Sequence, residues 1–440
     1  MKINYNTNSI FPSQVVSEAE KSSWEYGEQV AQAIETEWFN QGRVNGNRYL
    51  TTWNNYNRLR LYARGEQPTQ KYKDELSING DLISKFVDIL TNGISNKTYD
   101  INAFAQDPGS VQKRTNYAEM LAQDVFARDT MKRITDMLGS ELFNTTIPEE
   151  QLPQTPEELE LYMQLTYKQA IEIAEEEAIT QVLDSNKWDL VRRRINYDLV
   201  TCGIGAVKTN FNLANGITVD YVDPAYMVYS YTDDPNFEDI YYVGELKMLT
   251  VPEIAKLYPT LSNEELEKIQ QAQGNRSYLY GNGPWDQNTI PVLFFEYKTY
   301  IDQVFKIKET QYGLEKALEK LDTFNPPEND NFKRVGRTIE VLYQGAKILG
   351  VNTMLDWRMC ENMTRPFANT TKVEMNYALC APRMYKGRIE STVGRITSFA
   401  DMIQITHLKL QQVIARMVPD GVFLDMDGLA EVDLGNGTNY

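Results

Sequence analysis

The sequence predicts an α+β protein that is mostly helical, and three observations carry that reading. Apolar residues recur at helical spacing through much of the first half of the chain and again from 389 to 417. Two stretches break that rhythm with glycine-bounded runs rich in β-branched and aromatic residues, at 203–243 and 290–351. The chain has 440 residues, more than one compact core usually holds, so about two to four domains are expected.

From the N-terminus, helices are expected over 14–39 and 46–64, the first opening at Ser17-Glu18-Ala19-Glu20 and the second ending at Gly65. Lys71 to Ser77 reads as a polar loop. Asp81–Asn92 carries Leu82, Ile83, Phe86, Ile89 and Leu90 at helical spacing, with Gly93 placed to cap it. Thr115–Leu138 is the next helix, with Tyr117, Met120, Leu121, Val125, Met131, Ile134 and Leu138 as its apolar face. Pro148, Pro153 and Pro156 make 143–156 a linker. Thr155 is a good N-cap, Pro156 suits the first helical position, and Glu158 completes a capping box. This helix is expected to run to Leu183, roughly 40 Å at about 1.5 Å per residue. The acidic run Glu172–Glu177 reads as its solvated face, with a metal-binding carboxylate cluster as the sharper alternative.

Trp188–Val200 is a helix that runs into Gly203-Ile204-Gly205. A strand, a turn at Asn215-Gly216 and a second strand, Ile217–Val222, follow, closed by Asp223-Pro224. A loop then carries Asp233-Asp234-Pro235, and a strand-like run at Ile240–Val243 leads to Leu249–Ile254. Asn263–Gln273 is a short acidic helix and Gly274–Gly283 a loop. Ile290–Tyr300 reads as a strand whose partner is Arg337–Gly345, with a turn at Gly345-Ala346 and a return over Lys347–Val351. The insert between them, 303–335, is expected to hold a charged helix, Glu309–Leu321, and a loop at Pro326-Pro327.

The strongest periodic signal follows. Ile389, Ile396, Ile403, Leu410 and Met417 are seven apart, and Val393, Ala400, His407 and Ile414 are offset from them by four. Together they make a heptad seam with His407 as its single polar position, expected to be a packing histidine. A second row at the same spacing is basic at Arg388, Arg395, Lys409 and Arg416. Such a helix packs either on a neighbouring subunit or in an ordinary bundle with its basic row solvated. Past Pro419, Val422–Leu429 reads as a hairpin or strand-turn. Asp425-x-Asp427-Gly428 faintly resembles a calcium loop, but the remaining ligands, the closing glutamate among them, are absent.

Composition narrows the chemistry. A net charge of −17 is unlike the basic surface that grips nucleic acid through counterion release. It suits a soluble surface, or a wall that leaves a passing polyanion mobile. One histidine in the whole chain removes most His-dependent triads and His-based zinc sites. There is no GxxxxGK[ST] and no GxGxxG, so neither a P-loop nor a dinucleotide turn is present, and no cofactor is expected. Cys202, Cys360 and Cys380 are too widely spaced for a CxxC motif, which favours a reducing compartment. No apolar run is long enough for a transmembrane helix, no membrane is expected, and the N-terminus lacks a signal-peptide h-region. Carboxylates at Asp220, Asp223, Asp233 and Asp234 keep one enzymatic reading open, a carboxylate-dependent glycan hydrolase. An acidic, protein-binding scaffold is a further alternative.

The order of motifs from Trp188 to Ile254 (helix, Gly203-Ile204-Gly205 strand, Val222-Asp223-Pro224 turn, Asp233-Asp234-Pro235 loop, Thr250-Val251-Pro252-Glu253-Ile254 helix) resembles the middle of the portal proteins of tailed bacteriophages. Asn57-Arg58-Leu59-Arg60-Leu61-Tyr62-Ala63-Arg64-Gly65-Glu66-Gln67-Pro68 is similar to the opening of that family, most closely its crAss-like gut-phage branch. With Leu342-Tyr343-Gln344-Gly345 and Ile348-Leu349, the resemblance covers about half the chain. It implies a mostly helical portal fold, with a wing, a helical stem and a small α/β clip, assembled as a ring that is typically a dodecamer. The wing would be 1–240 with a small β module at 203–243. The stem would begin at 241–284, the clip would be 285–385 with the helical insert 303–335, and the stem helix 386–418. Residues 419–440 would start a tunnel-loop and wing region, the chain continuing in a longer product. The seam and basic row would then lie between subunits. The implied function is non-enzymatic: a conduit at one capsid vertex through which genomic DNA is packaged and ejected. Its partners would be the major capsid protein, the terminase, head–tail connector proteins and double-stranded DNA held without sequence specificity. Its place would be the virion, and the host cytoplasm during assembly.

Overall fold

A computed structural model describes residues 10–40, 52–65, 82–138, 153, 155–212, 216–259, 261–273, 289–309, 315–321, 324–325, 332–349 and 353–416. The expected loop at 71–77, most of the 143–156 linker, the loop at 274–283, the Pro326-Pro327 loop, Met417 and the 422–429 hairpin lie outside the described residues. The chain is mixed helix and sheet, as an α+β class requires. It divides into two units, one built from 1–96, 191–213 and 220–440, the other from 97–190 and 214–219.

In the first unit the N-terminal helix is interrupted. Ser17 caps α1 (Glu18–Lys21) by accepting from the Glu20 N–H, and Ser22-Ser23 separates it from α2 (Trp24–Asn40). One helix over 14–39 is therefore corrected to two. α3 (Thr52–Ala63) ends at Gly65, whose φ of 79° is left-handed. α4 (Leu82–Ser95) runs through Gly93, so that glycine is not the cap expected of it.

The second unit holds α5 (Pro108–Leu138), opened by Asp107 accepting from the Ser110 N–H, and then α6 (Pro156–Leu165) and α7 (Ala170–Ser185). Thr155 caps α6 as its sequence suggests, through the Glu158 N–H. The single long helix to Leu183 is corrected, because a new start intervenes at Gln169. The Glu172 carboxylate accepts from the Gln169 N–H at 2.8 Å, which satisfies a backbone donor that a continuous helix would have used internally.

α8 (Trp188–Thr201) leads through Gly203, at φ 83°, into β1 (Gly205–Asn212) and β2 (Gly216–Tyr221). A single 3-10 turn (Pro224–Tyr226) precedes β3 (Met227–Tyr229) and β4 (Tyr242–Thr250). The described residues of 241–284, the stretch expected to begin the stem, thus hold a strand followed by α9 (Val251–Leu257) and α10 (Asn263–Gln273). The Glu253 carboxylate accepts from the Thr250 N–H at 2.8 Å and starts α9 at the expected Thr-x-x-Glu.

The largest layer is a six-stranded sheet in the order β3-β4-β5-β7-β8, with β6 also on β5. Its members not yet named are β5 (Thr289–Glu309), β6 (Glu315–Lys320), β7 (Phe332–Ile348) and β8 (Thr353–Met359). All its pairings are antiparallel. Among the described residues, the charged helix expected at Glu309–Leu321 is corrected to the last residue of β5 and edge strand β6. Every regular element among the described residues from 289 to 385, where an α/β clip is expected, is a strand, the last two being β9 (Tyr377–Cys380) and β10 (Met384–Tyr385). The Gly345-Ala346 turn is also corrected, since β7 runs straight through it. Gly345 is there because a Cβ would come 2.4 Å from Cζ of Phe295 on β5. The sheet needs that close approach, not a reversal.

α2 covers one face of this sheet. Val30, Ala31 and Ile34 are buried against Leu293, Phe295 and Tyr297 of β5, Tyr343 of β7 and Trp357 of β8. Tyr343 and Trp357 stack at 5.0 Å, and the indole N–H donates to the Lys21 carbonyl at 3.0 Å. β1 pairs with β9 in the three-stranded sheet β2-β1-β9, which joins α3, α4 and α8 in a second core. β11 (Arg388–Ile389) pairs with β10, and α12 (Thr392–Arg416) closes the described chain.

Candidate assembly surface

α12 carries two apolar faces rather than one heptad seam. Val393 is fully buried, and Thr397 is buried on the same side. Ala400 packs against the core that holds Leu59 and Tyr62 of α3 and Ile83 and Val87 of α4. The Tyr62 hydroxyl donates to Asp401 at 3.0 Å, tying α3 to α12. α3 is therefore the helix on which α12 is seated.

The other face is exposed. Ile396, Phe399, Ile403, Leu410 and Ile414 have between 38% and 65% of their surface open. At about 3.6 residues per turn they fall within roughly 60° of one another. Met402 and Val413 widen this stripe and are exposed as well. α4 shows the same division, with Ile83 and Val87 inside and Phe86, Ile89, Leu90 and Ile94 outside.

The expected seam is thus split. Ile389 and Arg388 lie on β11, before the helix, and Ile389 packs inward. Val393 and Ala400 belong to the chain's own core, while Ile396, Ile403, Leu410 and Ile414 face out. His407 is not packed: it is exposed and 3.2 Å from Gln411 one turn on. Arg388, Arg395, Lys409 and Arg416 are all exposed, and the last three border the apolar stripe along one side of α12. Phe399 was missed by the heptad reading. The spacing 396, 399, 403, 410, 414 follows the 3.6-residue period instead, which is the signal that finds it.

A part-buried hub of charged side chains ties α3 to α8. Arg60 of α3 donates to both oxygens of Asp223 at 2.9 and 2.7 Å, and to Asp198 of α8 at 2.9 Å. Asp198 also accepts from the Tyr221 hydroxyl, and Asp223 from the Ala225 N–H that opens the 3-10 turn. Burial pushes the Asp198 carboxyl above the usual range, and the Arg60 charge opposes this. Burial would lower the Arg60 guanidinium, but the bond from Asp223 and the charges of both carboxylates outweigh it and hold the cation. The Cys202 thiol beside them is pushed up, first by burial and then by Asp198. The hub joins α3, α8 and the Asp223-Pro224 turn through one guanidinium.

Three of the four carboxylates that suggested acid–base chemistry have structural partners, and the fourth, Asp220, lines a cavity. Asp223 is engaged by Arg60, and Asp234 accepts from the Asn236 and Glu238 N–H groups in a turn. Asp233 accepts from the Tyr231 hydroxyl at 3.1 Å. Glu172 of the second unit is fully buried, contrary to a solvated face. It accepts from the Ala105 and Gln169 N–H groups and pairs with Arg114 at 2.8 Å. Glu176 accepts from the Ala103 N–H and pairs with Lys168. Compared with protein-family models and with curated protein sequences, the chain matches none of them.

Proposed function

We propose that the chain is the subunit of a ring-shaped, non-enzymatic DNA conduit of the kind formed by the portal proteins of tailed bacteriophages. The observation that carries this is the exposed stripe Ile396, Phe399, Ile403, Leu410 and Ile414 on a long helix whose opposite side is already anchored in the core. A stripe of large aliphatic side chains in water costs free energy unless another surface covers it. A head-to-tail contact repeated around an axis covers it in every copy, and closes into a ring. The motif order at 57–68 and 188–254 supplies the family, the crAss-like branch, and with it a dodecamer at the capsid vertex. The wing, stem and clip assignments and the partners (capsid protein, terminase, connector, passing DNA) rest on that same resemblance.

The experiment is electron microscopy of the purified full chain, with sedimentation alongside. Rings with an axial hole are expected for the native sequence, and subunits alone for Ile396→Asp with Ile403→Asp. A native chain that stays monomeric at micromolar concentration would remove the proposal and leave the acidic scaffold reading in its place.

A further inference from the structure

Among the described residues, two helices leave an apolar side open, and their charges are opposite. The first is the outer half of α12. Its inner half is seated on α3 and α4, but past Asp401 no described side chain is fully buried. Leu410, Val413 and Ile414 are exposed there, beside Lys409 and Arg416. α12 carries three bases against one acid.

The second is α7, whose one fully buried residue is Glu172. Glu172 and Glu176 hold its first turns by accepting from the Ala105 and Ala103 N–H groups. Asn186 holds its end, donating to the Ile217 carbonyl and accepting from the Val219 N–H. None of these contacts uses its apolar side. Ile171, Ala174, Ala178 and Val182 fall within about 80° of one another. Val182 is half-buried and the other three are exposed. A helix of 16 residues is marginal in water without a packed face. α7 has five acids and no base. The second unit, to which it belongs, holds 18 Asp and Glu against 8 Lys and Arg, so it carries −10 of the chain's −17.

The charges also match in spacing. Glu177 and Asp184 are seven residues apart, about 10 Å along the helix, and so are Lys409 and Arg416. Among the described residues none of the four is in an ion pair. Each pair lies on the same flank of its apolar side as the helix turns, and flanks so placed meet when two helices run antiparallel. α6 is acidic too, but its acids are bunched at 157–160 and cannot match that spacing. We infer that α7 of one copy packs antiparallel on the outer half of α12 of the next. Glu177 then lies beside Arg416 and Asp184 beside Lys409, with Ala178 and Val182 against Leu410 and Ile414. Two different surfaces meet, so the contact is head-to-tail and repeats around an axis. The inference rests on the self-assembly reading above and names the surface that covers α12.

The test is mass photometry of the full chain at low salt. Glu177→Lys with Asp184→Lys should raise the concentration at which rings dissociate by about tenfold or more, because each attraction becomes a repulsion of similar size. Lys409→Glu with Arg416→Glu should do the same, and the four changes together should restore the native value. Ala178→Arg puts a good helix former at an exposed position, so it should leave circular dichroism unchanged and abolish the rings. If the charge-reversed chains do not fold, Ala178→Arg decides alone. Native rings that dissociate at the same concentration in Glu177→Lys with Asp184→Lys, or that persist in Ala178→Arg, overturn the inference and leave the ring standing; the α12 stripes then pair with one another or with chain beyond residue 416. Weakening that the four changes do not restore also overturns it, since α7 then meets a surface other than α12. A native chain without rings removes the ring reading and this contact with it.

Discussion

Arg60 ties three segments of the first unit together through Asp198 and Asp223. Its side chain is 17% exposed and that of Asp198 is 3% exposed, so the pair lies in a low-dielectric interior. Replacing Arg60 with methionine would leave Asp198 buried without a countercharge, a change that costs about 3–5 kcal/mol in such sites. Urea unfolding of the full chain should show that loss. Adding Asp198→Asn should recover part of it, because the stranded charge is then gone; a double variant no more stable than the single would show that packing, not charge, sets the cost. Glu172 makes the complementary case in the second unit. Burial raises its carboxyl, but the bonds from the Gln169 and Ala105 N–H groups and the Arg114 charge outweigh that and hold it below its ordinary value of 4.5. A folded value below the unfolded one stabilises the native state fully above the unfolded value, and that stabilisation disappears as pH falls through the folded value. Protection of the amides at the start of α7, corrected for their intrinsic exchange rates, should therefore fall in acid below about pH 4.5. In Glu172→Gln the same amides should exchange faster already at neutral pH and show less acid dependence.

At the scale of elements, α12 divides stability from association. Truncating Val393 to alanine removes two buried methyl groups and leaves a space, so a loss of about 2 kcal/mol in chain stability is expected. Phe399→Ser on the other face should leave unfolding of the isolated subunit within about 0.5 kcal/mol and weaken self-association. Equal effects of both variants on unfolding would mean that the outer face is covered within the chain. The sequence made the existence of α12 legible, but not which of its faces is inside, because both are apolar and only α3 and α4 decide between them. Helix starts were legible where a side chain satisfies a backbone donor, as at Ser17, Thr155 and Thr250. β6 was not. Its Glu-Lys-Ala-Leu-Glu-Lys is a strong helix-forming run, and it is held as a strand by pairing along the edge of β5. Gly345 misled for a related reason. A glycine bounding a strand run signals a turn, and nothing local reveals that the ring of Phe295 takes the place of its Cβ. The Arg60–Asp198–Asp223 hub was out of reach as well, since its members are separated by 138 and 163 residues.

At the scale of the whole molecule, a chain of net charge −17 must assemble against its own repulsion. In the ring proposed here the apolar stripe of α12 supplies the attraction, and the exposed Arg395, Lys409 and Arg416 along its border offer pairing to acids of the neighbouring copy. Exposed pairs of this kind contribute only about 0.2–1 kcal/mol each. The stripe must therefore carry the ring, and the row tunes it. Arg395→Gln with Lys409→Gln should still form rings, but rings that dissociate at higher subunit concentration than the native ones in low salt. At 1 M salt, where the Debye length is about 3 Å, the pairs are screened and the two proteins should dissociate alike. Apolar burial is not weakened by such screening, so native rings should survive there. Mass photometry across a salt series reads both effects. Rings of native strength at every salt concentration, combined with poor DNA packaging, would instead place the row on the channel wall, where its contacts with passing phosphates are themselves salt-sensitive.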